Sequence, residues 1–484
     1  MDPALNKIWH TVPTLEPLFK LFPRSSWGVW ESKEVMVDED DPDDRESFYI
    51  KQFEFSRPLR CNRDWARLRF YAARVHSLTH YHDAYNQPDW AVSKDAFVDF
   101  HEGCPSNVFP RLKEFTWKDY RGSAISYAPI FLVSSLSKLS IDIKCNSPAT
   151  IKQMNELAPR IYELCPNLRS LSIPPLRSVT IRNVRDICPD TLTQLGYLPG
   201  LEALSLAFPS EKALNLPQQP SFFSSLRSLE FFAYKTTSAL SLLAAISSRG
   251  LTTLQLTVTQ QSCSLALLHK LCQAVARFPN LSHLSIVFAR TGEPESVKAS
   301  QKSIAPLRSL KKLLSLTIEA TALQLDDATL HAIATAFPSL TKLAVIPLGD
   351  DQSDRWTSSV TMAGLNSLAE GCPNLRDLSI IFDARASPRA IEPNSTKSNL
   401  SLTYLNTGNS PADDPEVLTR FLTSCFPNLQ KIRTWFQPRF LGAGAGDLSE
   451  EQQCWDEVLR SVTGVGLEWD GESFKARRGR HLCM

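Results

Sequence analysis

Apolar residues along this chain keep returning in one short phrase: a leucine, two variable residues, a second apolar residue, one variable residue and a third apolar one. The clearest copies read CPNLRSLSI from Cys165, FPNLSHLSI from Phe278, FPSLTKLAV from Phe337, CPNLRDLSI from Cys372 and FPNLQKIRT from Phe426. Looser copies start at Leu112, Leu136, Leu201, Leu226, Leu251, Leu313 and Leu402, and a weaker one at Val75. From Leu112 to Leu429 the mean spacing is about 29 residues, the scale of a strand-plus-helix repeat. The alternation inside the phrase predicts a strand of three to five residues with one face turned inward.

The other half of each period has helical spacing. Ile151, Met154, Leu157, Ile161 and Leu164 fall three or four apart, as do Leu265, Leu268, Leu271, Val275 and Phe278, and Met362, Leu365, Leu368 and Cys372. Asp326 and Asp327 precede one such stripe. Asp414, Pro415 and Glu416 supply a cap, a first-turn proline and an acid at the positive end of the helix dipole. The Phe-Pro or Cys-Pro pair then ends the helix, because proline lacks a donor and pushes its predecessor out of helical angles.

One short strand and one helix of three turns cannot bury their apolar faces alone, whereas stacked copies share a continuous core. The expected fold is α/β: a curved leucine-rich-repeat solenoid of about twelve repeats, with parallel strands on the concave face and helices on the convex face. All-helical repeats of the armadillo type are the competing fold, and the strand alternation of the phrase argues against them.

On these residues the chain resembles the leucine-rich-repeat F-box proteins, in particular the large family of basidiomycete fungi. The repeats carry the resemblance over roughly residues 70–436. ProAlaLeu at 3–5 with Trp9, and LeuPheLysLeuPhePro at 18–23, look like the segment that follows the F-box. AspTrpAlaArgLeuArgPheTyrAlaAlaArgVal at 64–75 looks like the first convex helix. The resemblance implies a substrate receptor that docks on the Skp-type adaptor of a cullin ubiquitin ligase. The F-box core itself, usually opened by a Leu-Pro-x-Glu-like phrase, is expected to be missing or truncated, so the adaptor is a partner only if an upstream F-box exists. The alternative is a ubiquitin-independent binding scaffold. The expected organisation is a post-F-box linker and capping segment with an acidic loop over 1–100, the solenoid over 101–436, and a C-terminal cap with a basic tail over 437–484. Trp455, Val458 and Leu459 are available there to cover the last repeat.

In each strand the residues flanking the second and third apolar positions point away from the core. The central lining runs Thr116, Ser140, Ser172, Ser205, Glu230, Gln255, Ser285, Thr317, Ala344, Ser379, Asn406 and Arg433, mostly small hydroxyls. Aromatic residues and arginine anchor most protein contacts, so Tyr404, Lys431, Arg433 and Trp435 form the candidate partner-binding cluster, with a protein substrate on the concave face. Trp435 has a competing role as a cap on the last repeat.

Composition narrows the classes further. With 52 Lys and Arg against 51 Asp and Glu, the net charge of +1 removes the global footprint of a nucleic-acid binder. Eleven cysteines without a Cys-x-x-Cys pair fit reduced thiols in cytosol or nucleus. Cys165, Cys372 and Cys425 occupy or adjoin positions filled elsewhere by phenylalanine and read as small buried groups. The longest uncharged stretch, Gly250 to Leu268, is too rich in Thr, Gln and Ser to span a membrane.

His76, His80 and His82 cluster without the cysteine or carboxylate of a metal site. Gly442, Gly444 and Gly446 lack dinucleotide-binding spacing, Asp38 to Asp44 lacks the pattern of a calcium loop, and Lys475, Arg477, Arg478 and Arg480 make a basic tail. No nucleophile elbow, phosphate loop or zinc-hydrolase motif is present. The expectation is a non-enzyme with no catalytic residues, cofactor or metal.

Overall fold

A computed structural model of the protein describes residues 3–37, 45–57, 59, 62–82, 91–105, 107–119, 125–143, 148–172, 189–208, 214–259, 265–288, 301–319, 325–346, 359–385, 398–434 and 450–463. The chain divides into two compact units. The first holds residues 1–209 with 220–226, and the second 227–482 with 210–219.

Local chemistry makes each coil the same way. In the CPNL and FPNL phrases the residue before proline ends a helix or turn, and the amide of the repeat leucine donates back to its carbonyl. Leu168 to Cys165, Leu281 to Phe278, Leu340 to Phe337, Leu375 to Cys372 and Leu429 to Phe426 are each 3.1 Å. The chain then turns into a strand. Phe337, Cys372 and Phe426 share nearly one backbone geometry, with φ of −129°, −123° and −135°. The twelve repeat leucines from Leu112 to Leu429 are all buried, none more than 6% exposed. Each buried leucine contributes roughly 1.5–3 kcal/mol of apolar transfer, an upper figure because the unfolded chain already buries part of this surface.

In the first unit the parallel strands Thr11–Val12, Ser77–His82, Glu114–Asp119, Lys138–Ile143, Ser170–Ser172 and Ala203–Phe208 pair in that order. The strand ladder therefore starts well upstream of residue 101. The weak phrase at Val75 is a genuine coil, with Val75 and Leu78 buried. A second sheet, not anticipated from the sequence, joins the antiparallel hairpin Trp27–Val37 and Arg45–Phe55 to the short parallel strand Ala91–Val92. Phe53 and Phe55 of that hairpin pack on Phe19, and Phe55 also on Phe22; Phe100 packs on the same Phe19 and Phe22, with Trp65 of the helix Asn62–Ala72 against Phe22 and Phe100.

The second unit carries eight parallel strands, Ser228–Ala233, Thr253–Val258, His283–Phe288, Ser315–Glu319, Lys342–Ile346, Asp377–Ile380, Tyr404–Gly408 and Lys431–Thr434. Each pairs with the next. Helices Thr236–Ala245, Leu265–Val275, Asp327–Ala336, Met362–Gly371 and Pro415–Cys425 return the chain between strands. The caps foreseen from sequence are formed: Asp326 accepts from the Thr329 amide at 2.8 Å and Asp414 from the Val417 amide at 3.0 Å.

Helices Asp327–Ala336 and Met362–Gly371 approach closely because of two glycines. A β-carbon at Gly371 would lie 2.7 Å from that of Ala334, and one at Gly364 would lie 2.4 Å from a carboxylate oxygen of Asp327. That carboxylate accepts from the amide and hydroxyl of Thr361, the cap of the next helix, at 2.8 and 2.7 Å.

The last coil is covered by the helix Glu450–Thr463, whose Cys454, Trp455, Val458 and Leu459 are buried. The Trp455 indole donates to the Ser410 carbonyl at 2.7 Å. No helix among the described residues is long and apolar enough to cross a membrane.

Candidate functional site

Strand register turns the lining positions into straight columns. In the first unit Thr116, Ser140, Ser172 and Ser205 align. In the second, Glu230, Gln255, Ser285, Thr317, Ala344, Ser379, Asn406 and Arg433 align from strand to strand. A neighbouring column runs Ser228, Thr253, His283, Ser315, Lys342, Asp377, Tyr404 and Lys431. Because identical phrases set the register, side chains on this face meet their counterparts one strand away, about 5 Å distant.

Of the four candidate residues, three come together. Tyr404 stands directly beside Lys431, and Arg433 lies two residues further along, opposite Asn406. Lys431 is exposed, while Tyr404 and Arg433 are half-buried. Trp435 lies outside the described residues.

The central column is not uniformly open. Glu230, Ser285 and Thr317 are half-buried and Gln255 is exposed, whereas Ala344, Ser379 and Asn406 are 6%, 9% and 8% exposed. The Asn406 side chain turns to its own backbone and accepts from the Gly408 amide at 3.2 Å. Access near the cluster therefore follows the neighbouring column, Lys342, Asp377, Tyr404 and Lys431, in which cations flank a carboxylate and a phenol.

Two structural ladders beside this face went unread in the sequence. The asparagine of the Pro-Asn-Leu phrase donates to the preceding coil: Asn167 to the Ser134 carbonyl at 2.8 Å, Asn280 to Arg249 at 2.9 Å and Asn428 to Leu400 at 2.7 Å. The hydroxyl that follows the repeat leucine does likewise, from Ser137 to Lys113, Thr252 to Arg227, Ser282 to Thr252 and Thr341 to Leu314. The signal was present as a recurring Asn before the leucine and Ser or Thr after it.

In the coil of Leu402 the cap position falls to Asn399, which is 1% exposed. Its amide nitrogen donates to the Cys372 carbonyl at 2.7 Å, and its oxygen accepts from Ser401 and Leu402 at 2.7 and 2.9 Å. Its own backbone amide donates to Cys425 of the following coil at 2.8 Å.

The cysteines and histidines have structural surroundings. Burial pushes the Cys165 and Cys372 thiols up to about 12 and the Cys425 thiol to about 11, which suppresses the thiolate needed for nucleophilic chemistry. His80 is 2% exposed and packs on Trp117, with ring centroids 4.3 Å apart, and on Phe97. His76 stacks on His10 at 4.4 Å instead of joining it. The His82 side chain, the acidic run Asp38–Asp44, the glycines 442–446 and the basic tail lie outside the description. Among the described residues no group of three or more His, Cys, Asp or Glu side chains is placed to hold a metal ion.

No protein-family model and no curated protein matches the chain. Among solved structures it is similar to the yeast Rad7 and Elc1 complex, at 15% identity and a TM-score of 0.38, over 71% of this chain and 81% of that one.

Proposed function

We propose that this chain is a non-catalytic protein-recognition module of leucine-rich-repeat type and that it serves as a substrate receptor of a Skp-cullin-F-box ubiquitin ligase. The supporting observation is the strand register, which sets Tyr404 beside Lys431 and brings Arg433 into the next position on the same face. Rigid strands hold these side chains at fixed spacing, so a folded protein or extended segment meets a preorganised row of contacts. Arginine and tyrosine supply the anchoring, and the exposed lysine sets the charge preference of the partner.

The test has two arms. Lys431→Ala with Arg433→Ala should abolish capture of partner proteins from cells without lowering the unfolding midpoint, and unchanged capture removes the cluster from the assignment. Co-purification of a Skp-type adaptor with the product of the full gene, read upstream of Met1 for an in-frame Leu-Pro-x-Glu module, tests the ligase role. Its failure leaves a ubiquitin-independent scaffold.

A further inference from the structure

A second charged surface lies in the second unit, on the turns that lead into the strands. Four consecutive coils place Arg227, Arg249, Arg277, Arg308, Lys311 and Lys312 there, and all six are exposed. The turns are physically joined. The Thr252 amide donates to the Arg227 carbonyl at 2.7 Å and Asn280 reaches the Arg249 carbonyl at 2.9 Å. The Lys312 ammonium donates to the Asn280 side-chain oxygen at 2.7 Å.

Carboxylates are scarce around this edge. Over these four coils, residues 214 to 319, the described ones are Glu230 and Glu319, which stand on the strands Ser228–Ala233 and Ser315–Glu319 and not on the turns. No ion pair involves any of the six basic residues among the described residues. Cations after a helix end do complement its dipole, which accounts for Arg249 and Arg277 but not for Arg227 or Lys312, which lie beyond the last turn of any helix.

We propose that this basic edge, from Arg227 to Lys312, is a docking surface for an acidic, extended polypeptide segment. Strand spacing makes the edge about 15 Å long over four coils, which matches about five extended residues. Arginine forks take carboxylates in two-point contacts. Leu314, 37% exposed, lies two residues after Lys312 and offers an apolar contact close to the charges. A nucleic-acid strand fits less well, because no exposed aromatic ring stands among the described residues of these turns to stack a base. The edge is separate from the Tyr404 and Lys431 column, so this inference and the proposed function fail independently.

The experiment uses the full chain and a fluorescent heptapeptide of alternating glutamate and aspartate around a central leucine, read by anisotropy. The wild type should bind it, with affinity falling as salt screens the exposed charges, and should not bind the glutamine and asparagine analogue. The combined variant Arg249→Glu, Arg277→Glu, Lys312→Glu should lose at least tenfold in affinity with unchanged circular dichroism. If that variant misfolds, the corresponding Gln variant should lose at least threefold. Absence of wild-type binding, unchanged affinity in the folded variant, or equally tight binding of an oligothymidylate of the same charge would overturn the proposal.

Discussion

Asn399 offers the sharpest test of how neighbouring coils are held together. Replacing it with leucine keeps the approximate volume but strands two backbone amides, those of Ser401 and Leu402, and leaves the Cys372 carbonyl with the Leu375 amide alone. Each unsatisfied buried group costs about 1–3 kcal/mol, and some relaxation toward solvent is available at Ser401, so the expected loss is roughly 2–4 kcal/mol. Asn428 is the control. It makes the analogous single bond to Leu400 but is exposed, so water replaces the donor and Asn428→Ala should cost no more than about 1 kcal/mol. Urea unfolding followed by circular dichroism reads both, and amide exchange at Ser401 and Leu402 reports whether the damage is local, as in repeat arrays that open in parts. Equal losses in the two variants, or less than about 1 kcal/mol for Asn399→Leu, would refute the reasoning.

Two further outcomes follow from the packing. Gly371→Ala gains helix propensity of about 1 kcal/mol, yet its β-carbon meets Ala334 at 2.7 Å, so the variant should be net destabilised by about 1–2 kcal/mol in urea unfolding, and Ala334→Gly in the same chain should recover part of the loss. The Cys165 and Cys372 thiols rise from 9.0 to about 12 on burial. The folded state therefore holds protons that the unfolded state releases, and their contribution to stability is intact below pH 9 and lost as pH rises toward 12. Native protein at pH 8 should leave both thiols unmodified by a disulfide reagent that labels them in urea; rapid native labelling would contradict the burial.

Much of the repeat was legible because one phrase specifies three things together. Its leucine fixes the turn, its alternation fixes which side chains face inward, and its repetition fixes the register between strands. Asp326 and Asp414 were readable as caps for the same local reason. The strand Thr11–Val12 was not, since two residues carry no alternation and its pairing with Ser77 and Leu78 is a long-range event. The hairpin Trp27–Val37 with Arg45–Phe55 escaped because Glu31, Lys33 and Glu34 interrupt any apolar face in its first strand. In the candidate cluster, Tyr404, Lys431 and Arg433 followed from register alone. The burial of Ala344, Ser379 and Asn406 did not, because exposure on the strand face depends on what lies over it.

The asparagine and hydroxyl ladders have a fixed polarity: the donor always sits on the later coil and the acceptor on the earlier one. The amides that lead into the strands run the same way, as Thr252 to Arg227 and Ser282 to Thr252 show, while the Asn399 amide is an exception that reaches forward to Cys425. During synthesis each newly emerged coil thus finds its acceptors already in place on the polypeptide behind it. A nascent chain can lay down its layers in the order they leave the ribosome, and the carbonyls left waiting at the growing end stay hydrated until the next layer arrives.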